Sequence, residues 1–260
     1  MSVYVYGIAR ADHPALPDRM DGVGDPPRPV RSLREGGLAA VVSDCPPDLR
    51  PKRRDLLAHQ QVLSEASASD VVLPLRFGSV SEDEDAVREV LSEHADHYRD
   101  QLSELEGRVE YNVKAAHRED AVLHQVVMEE PEIQSLSAAN QAAGGGSHQD
   151  RLRLGEMVAQ AIRDREVRDA RNLEEALAPH AERYCPGPEG TGWLANLSYL
   201  VGREATEDLL LAVEELQERN PHLDIQLSGP LPPYSFVTAP DDAAAPAPEN
   251  APRPAPQNAE

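Results

Sequence analysis

Residues 81–115, SEDEDAVREVLSEHADHYRDQLSELEGRVEYNVKA, set the fold class. Val87, Val90, Leu91, Ala95, Tyr98, Leu102 and Leu105 recur at three- and four-residue steps with acids opposite, the pattern of one amphipathic helix with a single buried stripe. Ser81 with Glu84 reads as a capping box at its start, and Gly107 suits its end. The period then changes. Val109, Tyr111, Val113 and Ala115 alternate with Glu110, Asn112 and Lys114, which predicts a half-exposed strand. A helix followed directly by a two-faced strand calls for helices packed on a sheet, the α+β class.

Toward the N-terminus, Val3 to Ile8 is β-branched and tyrosine-rich on both alternations, a central buried strand. The Pro-, Asp- and Gly-rich stretch from His13 to Pro29 reads as a long, poorly ordered loop. A second strand, Leu38 to Ser43, follows the turn-forming pair Gly36-Gly37. Pro51 opens a helix through about Ser67, with Leu56, Leu57, Val62, Leu63 and Ala66 on its apolar face, and Val71 to Phe77 is a further strand. The order strand, strand, helix, strand, helix, strand fits a small ferredoxin-like sandwich with its helices on one sheet face.

Beyond residue 115 the pattern is helix, strand, helix, strand. A helix runs from about Asp120 to Glu129, ended by Glu130-Pro131, since the residue before proline avoids the α region. A short segment and the flexible Ala142 to Ser147 stretch precede a long polar helix from about Arg151 to His180. Trp193, Ala195, Leu197, Tyr199 and Val201 form the apolar face of a strand, Glu204 to Arg219 a helix, and Leu223, Ile225 and Leu227 the face of a last strand. The chain thus reads as two α+β domains resembling ferredoxin-like sandwiches, 1–130 and 131–238. From 239 to 260 it is Ala, Pro, Asn and Glu, a disordered tail that cannot bury enough surface to offset chain ordering.

Acidic residues outnumber basic ones 46 to 25, a formal charge of -21. Phosphate backbones and anionic lipid both recruit Lys and Arg, so nucleic acid and membrane surfaces are excluded as expected partners. Simple solubility is one reading of this charge; keeping a sticky partner in solution is the other. Only 4% of residues are aromatic, so the cores must be built from Val, Leu, Ile and Ala. Cys45 and Cys185 stand far apart without a CxxC pair, and no run approaches the roughly 18 apolar residues of a membrane span. The start is too short and too polar for a signal peptide, so the expected location is cytoplasmic.

Catalytic patterns are missing. His94 and His97 share a helix stretch among acids and read as solvated histidines; His59, His117 and His124 are scattered, and no HExxH occurs. Gly144 to Ser147 lacks the lysine of a phosphate loop and reads as a linker. Neither GxSxG nor a dinucleotide fingerprint is present. No enzyme activity, cofactor or metal is expected.

Two segments are over-specified. Val71-Val72-Leu73-Pro74-Leu75-Arg76-Phe77-Gly78 carries an arginine inside an apolar run, which must pair with a carboxylate or reach solvent. Ser228-Gly229-Pro230-Leu231-Pro232-Pro233-Tyr234-Ser235-Phe236-Val237 is a proline-stiffened crossing with an aromatic tip, packed on the domain or presented to a partner.

With Tyr4 to Ile8, Gly37 to Ser43, His59, Glu110 to Lys114 and Leu197 to Val201, these segments resemble the gas vesicle protein GvpF/GvpL family, in order, over about residues 3 to 237. Arg76, Phe77, Gly78, Gly229, Pro230, Pro232, Pro233, Tyr234, Ser235 and Phe236 carry the signature, which the resemblance makes structural. Leu231 and Ser81 depart from the family pattern, standing where a larger aromatic and a bulky apolar residue are expected. The resemblance implies a non-enzymatic accessory or minor structural protein of gas vesicles. Its implied partners are the hydrophobic shell protein and other gas vesicle accessory proteins, met during nucleation and assembly, and its implied location is the cytoplasm and the gas vesicle. The acidic balance then fits a soluble handler of an aggregation-prone partner. Two other classes stand beside it: a small-ligand regulatory protein on ferredoxin-like domains, and a metal-dependent hydrolase using acidic residues.

Overall fold

A computed structural model describes residues 1–16, 18–188, 190 and 192–240. Most of the expected tail, from residue 241, lies outside the described residues. Helices and two antiparallel sheets make up the described chain. The first sheet holds β1 (Val3–Arg10), β2 (Arg31–Glu35), β3 (Leu38–Asp44), β4 (Leu73–Pro74) and β5 (Val80–Ser81). Its order is β2-β3-β1-β4, with β5 also on β1. The second sheet holds β6 (Arg108–His117), β7 (Arg183–Pro186), β8 (Ala195–Gly202) and β9 (Leu223–Leu231), in the order β7-β8-β6-β9.

β6 is therefore not the last strand of the first sheet, as the sequence order suggested. β1 already has β3 on one edge and β4 and β5 on the other, so no edge of it is left for β6. β2 and β7 carry too little apolar alternation to stand out in the sequence, yet β2 pairs with β3 over five residues. The Val71 to Phe77 run shortens to the two-residue β4. Gly36 and Gly37 do form the β2–β3 turn, at φ +55° and +84°.

The single helix expected from residue 84 is two, α2 (Glu84–Glu93) and α3 (Ala95–Glu104), broken at His94 with φ −108° and ψ 24°. α2 packs on β2 and β3, and α3 on β1 and β4. The sheet twists beneath them, so one straight stripe could not follow both pairs of strands. Val87, Leu91, Tyr98, Leu102 and Leu105 are buried as expected, while Val90 is exposed. The cap is Asp83, whose side chain accepts from the Ala86 amide, and Ser81 instead pairs with Val3 in the sheet.

α1 (Arg53–Ser67) buries Val62, Leu63 and Ala66, but Leu56 and Leu57 are exposed and Asp55 and His59 take their place inside. Asp55 is buried because it accepts the Gly24 amide at 3.0 Å. Of the His13 to Pro29 stretch, expected to be poorly ordered, Val23 is fully buried, as is Val30 just beyond it, beside Tyr4, Tyr6 and Val41. The Val23 amide donates to Tyr6 Oη at 2.9 Å. A Cβ on Gly22 would stand 2.1 Å from the same oxygen, so only glycine admits this approach.

The later helices are α4 (Glu119–Glu129), α5 (Pro131–Ala142), α6 (His148–Leu177) and α7 (Thr206–Arg219). Ser147 and Asp150 close a reciprocal capping box at the start of α6, so the glycine stretch ends on a firm helix start. Val122, Val126 and Ile133 form a small core against α6.

By packing, the described chain divides into one unit of residues 1–111, 200–203 and 229–240, and another of 112–199 and 204–228. This division falls inside β6, where the sequence reading set a boundary after residue 130.

Candidate functional site

The first unit concentrates its aromatic and polar groups around His59. Tyr4 and Tyr6 come from β1, His59 from α1, Phe77 from the end of the 71–78 run, and Tyr234 from a 3-10 turn, Tyr234–Phe236. Tyr6 stacks on the imidazole at 5.6 Å between centroids, and Tyr4 and Phe77 meet it edge-on at 5.7 and 5.8 Å. Tyr4 Oη accepts from the Gly78 amide at 3.3 Å and shares a hydrogen bond of 2.8 Å with His59 Nδ1, while His59 Nε2 lies 3.4 Å from Tyr234 Oη. Burial holds His59 below the usual imidazole value, against an opposing hydrogen bond to the Leu75 backbone. It also pushes the phenols of Tyr4, Tyr6 and Tyr234 upward. Near neutral pH all four are uncharged, and their hydrogen bonds join one segment of chain to another.

A second bond set fastens the proline-rich crossing. Glu110 is 3% exposed, although strand alternation put it outside. Its carboxylate accepts the Ser235 amide at 2.8 Å and the Ser235 hydroxyl at 2.7 Å. Pro232, Pro233 and Phe236 are buried. Gly229, at φ +150°, passes so close to Tyr111 that a Cβ would stand 2.4 Å from its ring. Thr238 continues the attachment, its amide donating to Gln101 Oε1 at 3.2 Å and its carbonyl accepting from His97 Nε2 at 3.0 Å.

The signature residues thus come together in one unit, with two qualifications. Arg76 is exposed, and its side chain forms no hydrogen bond or ion pair among the described residues, so of the two fates open to it the arginine takes solvent. Leu231 lines a cleft of about 220 Å³ together with Pro230, Pro232 and Pro233.

The second unit holds a cluster that sequence spacing did not reveal. His117 at the end of β6, Asp169 on α6 and His222 just before β9 converge, each imidazole Nε2 lying 2.9 Å from Asp169 Oδ2. Arg165, one turn earlier on α6, brings Nε to the same oxygen at 3.3 Å and is itself paired with Glu129. Burial works against the Asp169 charge, but the hydrogen bonds from both imidazoles and the nearby positive charge outweigh it and hold the carboxyl below its usual range. Partners 52 and 53 residues away leave no local motif. No pattern in the sequence marks Asp169 or His222 as members of a cluster.

The family model for gas vesicle synthesis protein GvpL/GvpF matches residues 2–238. The chain belongs to that family. It is 56% identical to gas vesicle protein F of Streptomyces sp. (strain CB03234) over 237 residues, 91% of this chain and 100% of that one. It is 32% identical to gas vesicle protein L of the same strain, covering 90% and 91%. The crystal structure of GvpF from Anabaena sp. PCC7120 shares the fold, with a TM-score of 0.73 at 22% identity, covering 92% and 98%. The family is one of gas vesicle proteins and is not a known enzyme family. No helix among the described residues is long and apolar enough to cross a membrane.

Proposed function

We propose that this chain is an F-like, non-enzymatic accessory or minor structural protein that binds the hydrophobic shell protein, and other accessory proteins, during gas vesicle nucleation and assembly. The observation that carries the reading is the end-to-end match to a gas vesicle protein F at 56% identity, against 32% for the L relative. The geometry supports it: the signature residues other than Arg76 are engaged in holding the first unit together, and α1 turns Leu56 and Leu57 outward, 42% and 54% exposed. Exposed leucines on an otherwise acidic chain suit contact with an apolar partner while keeping the complex in solution. The protein works in the cytoplasm and on the vesicle in this reading. The arrangement β6, helices, β7, β8, α7, β9 with β6 and β8 central supports a ferredoxin-like description of the later strands.

Co-expression with the shell protein, followed by pull-down, tests the proposal. A soluble complex that needs this chain, and that weakens when Leu56 and Leu57 are both replaced by Lys, is the expected result. A folded chain that leaves the shell protein uncaptured sinks the shell-binding reading. Neutralising surface acidic residues without loss of the complex would remove the role given to charge.

A further inference from the structure

We propose that His117, Asp169 and His222 form a binding site for one divalent transition-metal ion, of which zinc is the type. The inference does not depend on shell-protein binding and concerns the second unit alone. The three donor atoms lie within 4.8 Å of one another. Each imidazole Nε2 stands 2.9 Å from Asp169 Oδ2, close to the roughly 3.0–3.4 Å that bonds of about 2.0–2.2 Å to one ion impose on neighbouring ligand atoms, and the two imidazole nitrogens, within 4.8 Å of each other, would draw together onto the ion. Two imidazole nitrogens and one carboxylate oxygen match zinc sites that keep an open position, whereas calcium and magnesium favour oxygen alone.

The hydrogen-bond pattern leaves open the tautomer that an ion requires. Side-chain exposure is 7%, 6% and 4% at His117, Asp169 and His222, yet Nδ1 of both imidazoles is buried with no partner among the described residues. No donor therefore fixes Nδ1 as an acceptor, so the ring proton can occupy it and free Nε2 for an ion. Charge is also permissive. Glu129 and Asp169 together outweigh Arg165 by one negative charge. On binding, each imidazole presents its Nε2 lone pair and carries its proton on Nδ1. His117 also lines a cleft of about 570 Å³ with Glu119, Glu166 and Trp193, so the cluster borders an open space on the His117 side. The ion would tie a strand, the long helix and the start of β9 together.

The test uses the full, tag-free chain, stripped with chelator and titrated with zinc sulfate by calorimetry. One equivalent is expected to bind, with a raised melting temperature. Two of the nine histidine Cε1–H resonances should shift stoichiometrically. His222→Gln and Asp169→Asn should each weaken binding about 100-fold or more, while the His94→Gln, His97→Gln double variant keeps it. Absence of stoichiometric uptake, unchanged affinity in His222→Gln, or shifts at other histidines would overturn the site. The resonance measurement on the unsubstituted chain decides the matter even if both site variants fail to fold.

Discussion

Replacing Glu110 tests whether the proline-rich crossing is held by a buried carboxylate or merely lies against it. The carboxylate takes two donors from Ser235, at 2.8 and 2.7 Å. Hydrogen bonds to a charged group are worth about 1.5–3 kcal/mol each, and neutral ones about 0.5–1.5. In Glu110→Gln the amide oxygen still accepts the Ser235 amide, and the Ser235 hydroxyl can rotate to accept from the new NH2. Only the charge assistance is lost, so the expected cost is about 1–2 kcal/mol. Glu110→Leu keeps the volume but removes both acceptors, which costs about 3–5 kcal/mol, or on the order of 10 °C in melting temperature for a chain of this size. Urea unfolding of the two variants gives the difference. Amide exchange at Ser235 should accelerate in Glu110→Leu before the rest of the first unit responds. Equal stabilities for the Gln and Leu variants, or a Leu variant as stable as the parent, would refute the reasoning.

Gly229→Ala must place a Cβ 2.4 Å from the Tyr111 ring at φ +150°, so overpacking and backbone strain together should cost about 2–5 kcal/mol by denaturant unfolding. Arg76→Ala should stay within about 0.5 kcal/mol of the parent because the side chain is solvated, and a selective loss of partner binding in that stable variant would assign the arginine to an interface. His59 has a folded value below its unfolded one, near 6.5, so the unfolded chain takes up the proton first. Stability is full above that pH and falls as the pH drops through it, by at most about 1.4 kcal/mol per unit, and urea midpoints between pH 7.5 and 5.5 should show a slope that His59→Gln loses.

The sequence alone determined the fold class, most helices and the long strands, because each carries its own period. The Leu102 and Leu105 stripe, the Val109 to Ala115 alternation and the Gly36-Gly37 turn are local signals, and local geometry obeys them. The family signature was legible for a related reason: prolines and glycines constrain their own backbone, so the 229–236 crossing can be recognised without knowing what it touches. Tertiary structure decided which sheet takes β6, because pairing depends on which strand edges remain open. It bent the residue-84 helix at His94 to follow a twisted sheet. It also turned Leu56 and Leu57 outward and Asp55, His59 and Glu110 inward, since a polar group can be buried once a distant partner such as Gly24, Tyr4 or Ser235 meets it. The His117, Asp169 and His222 cluster belongs wholly to that second category. Asp169 lies 52 residues from His117 and 53 from His222 along the chain, and only the packing of α6 beside β6 and the start of β9 makes them neighbours.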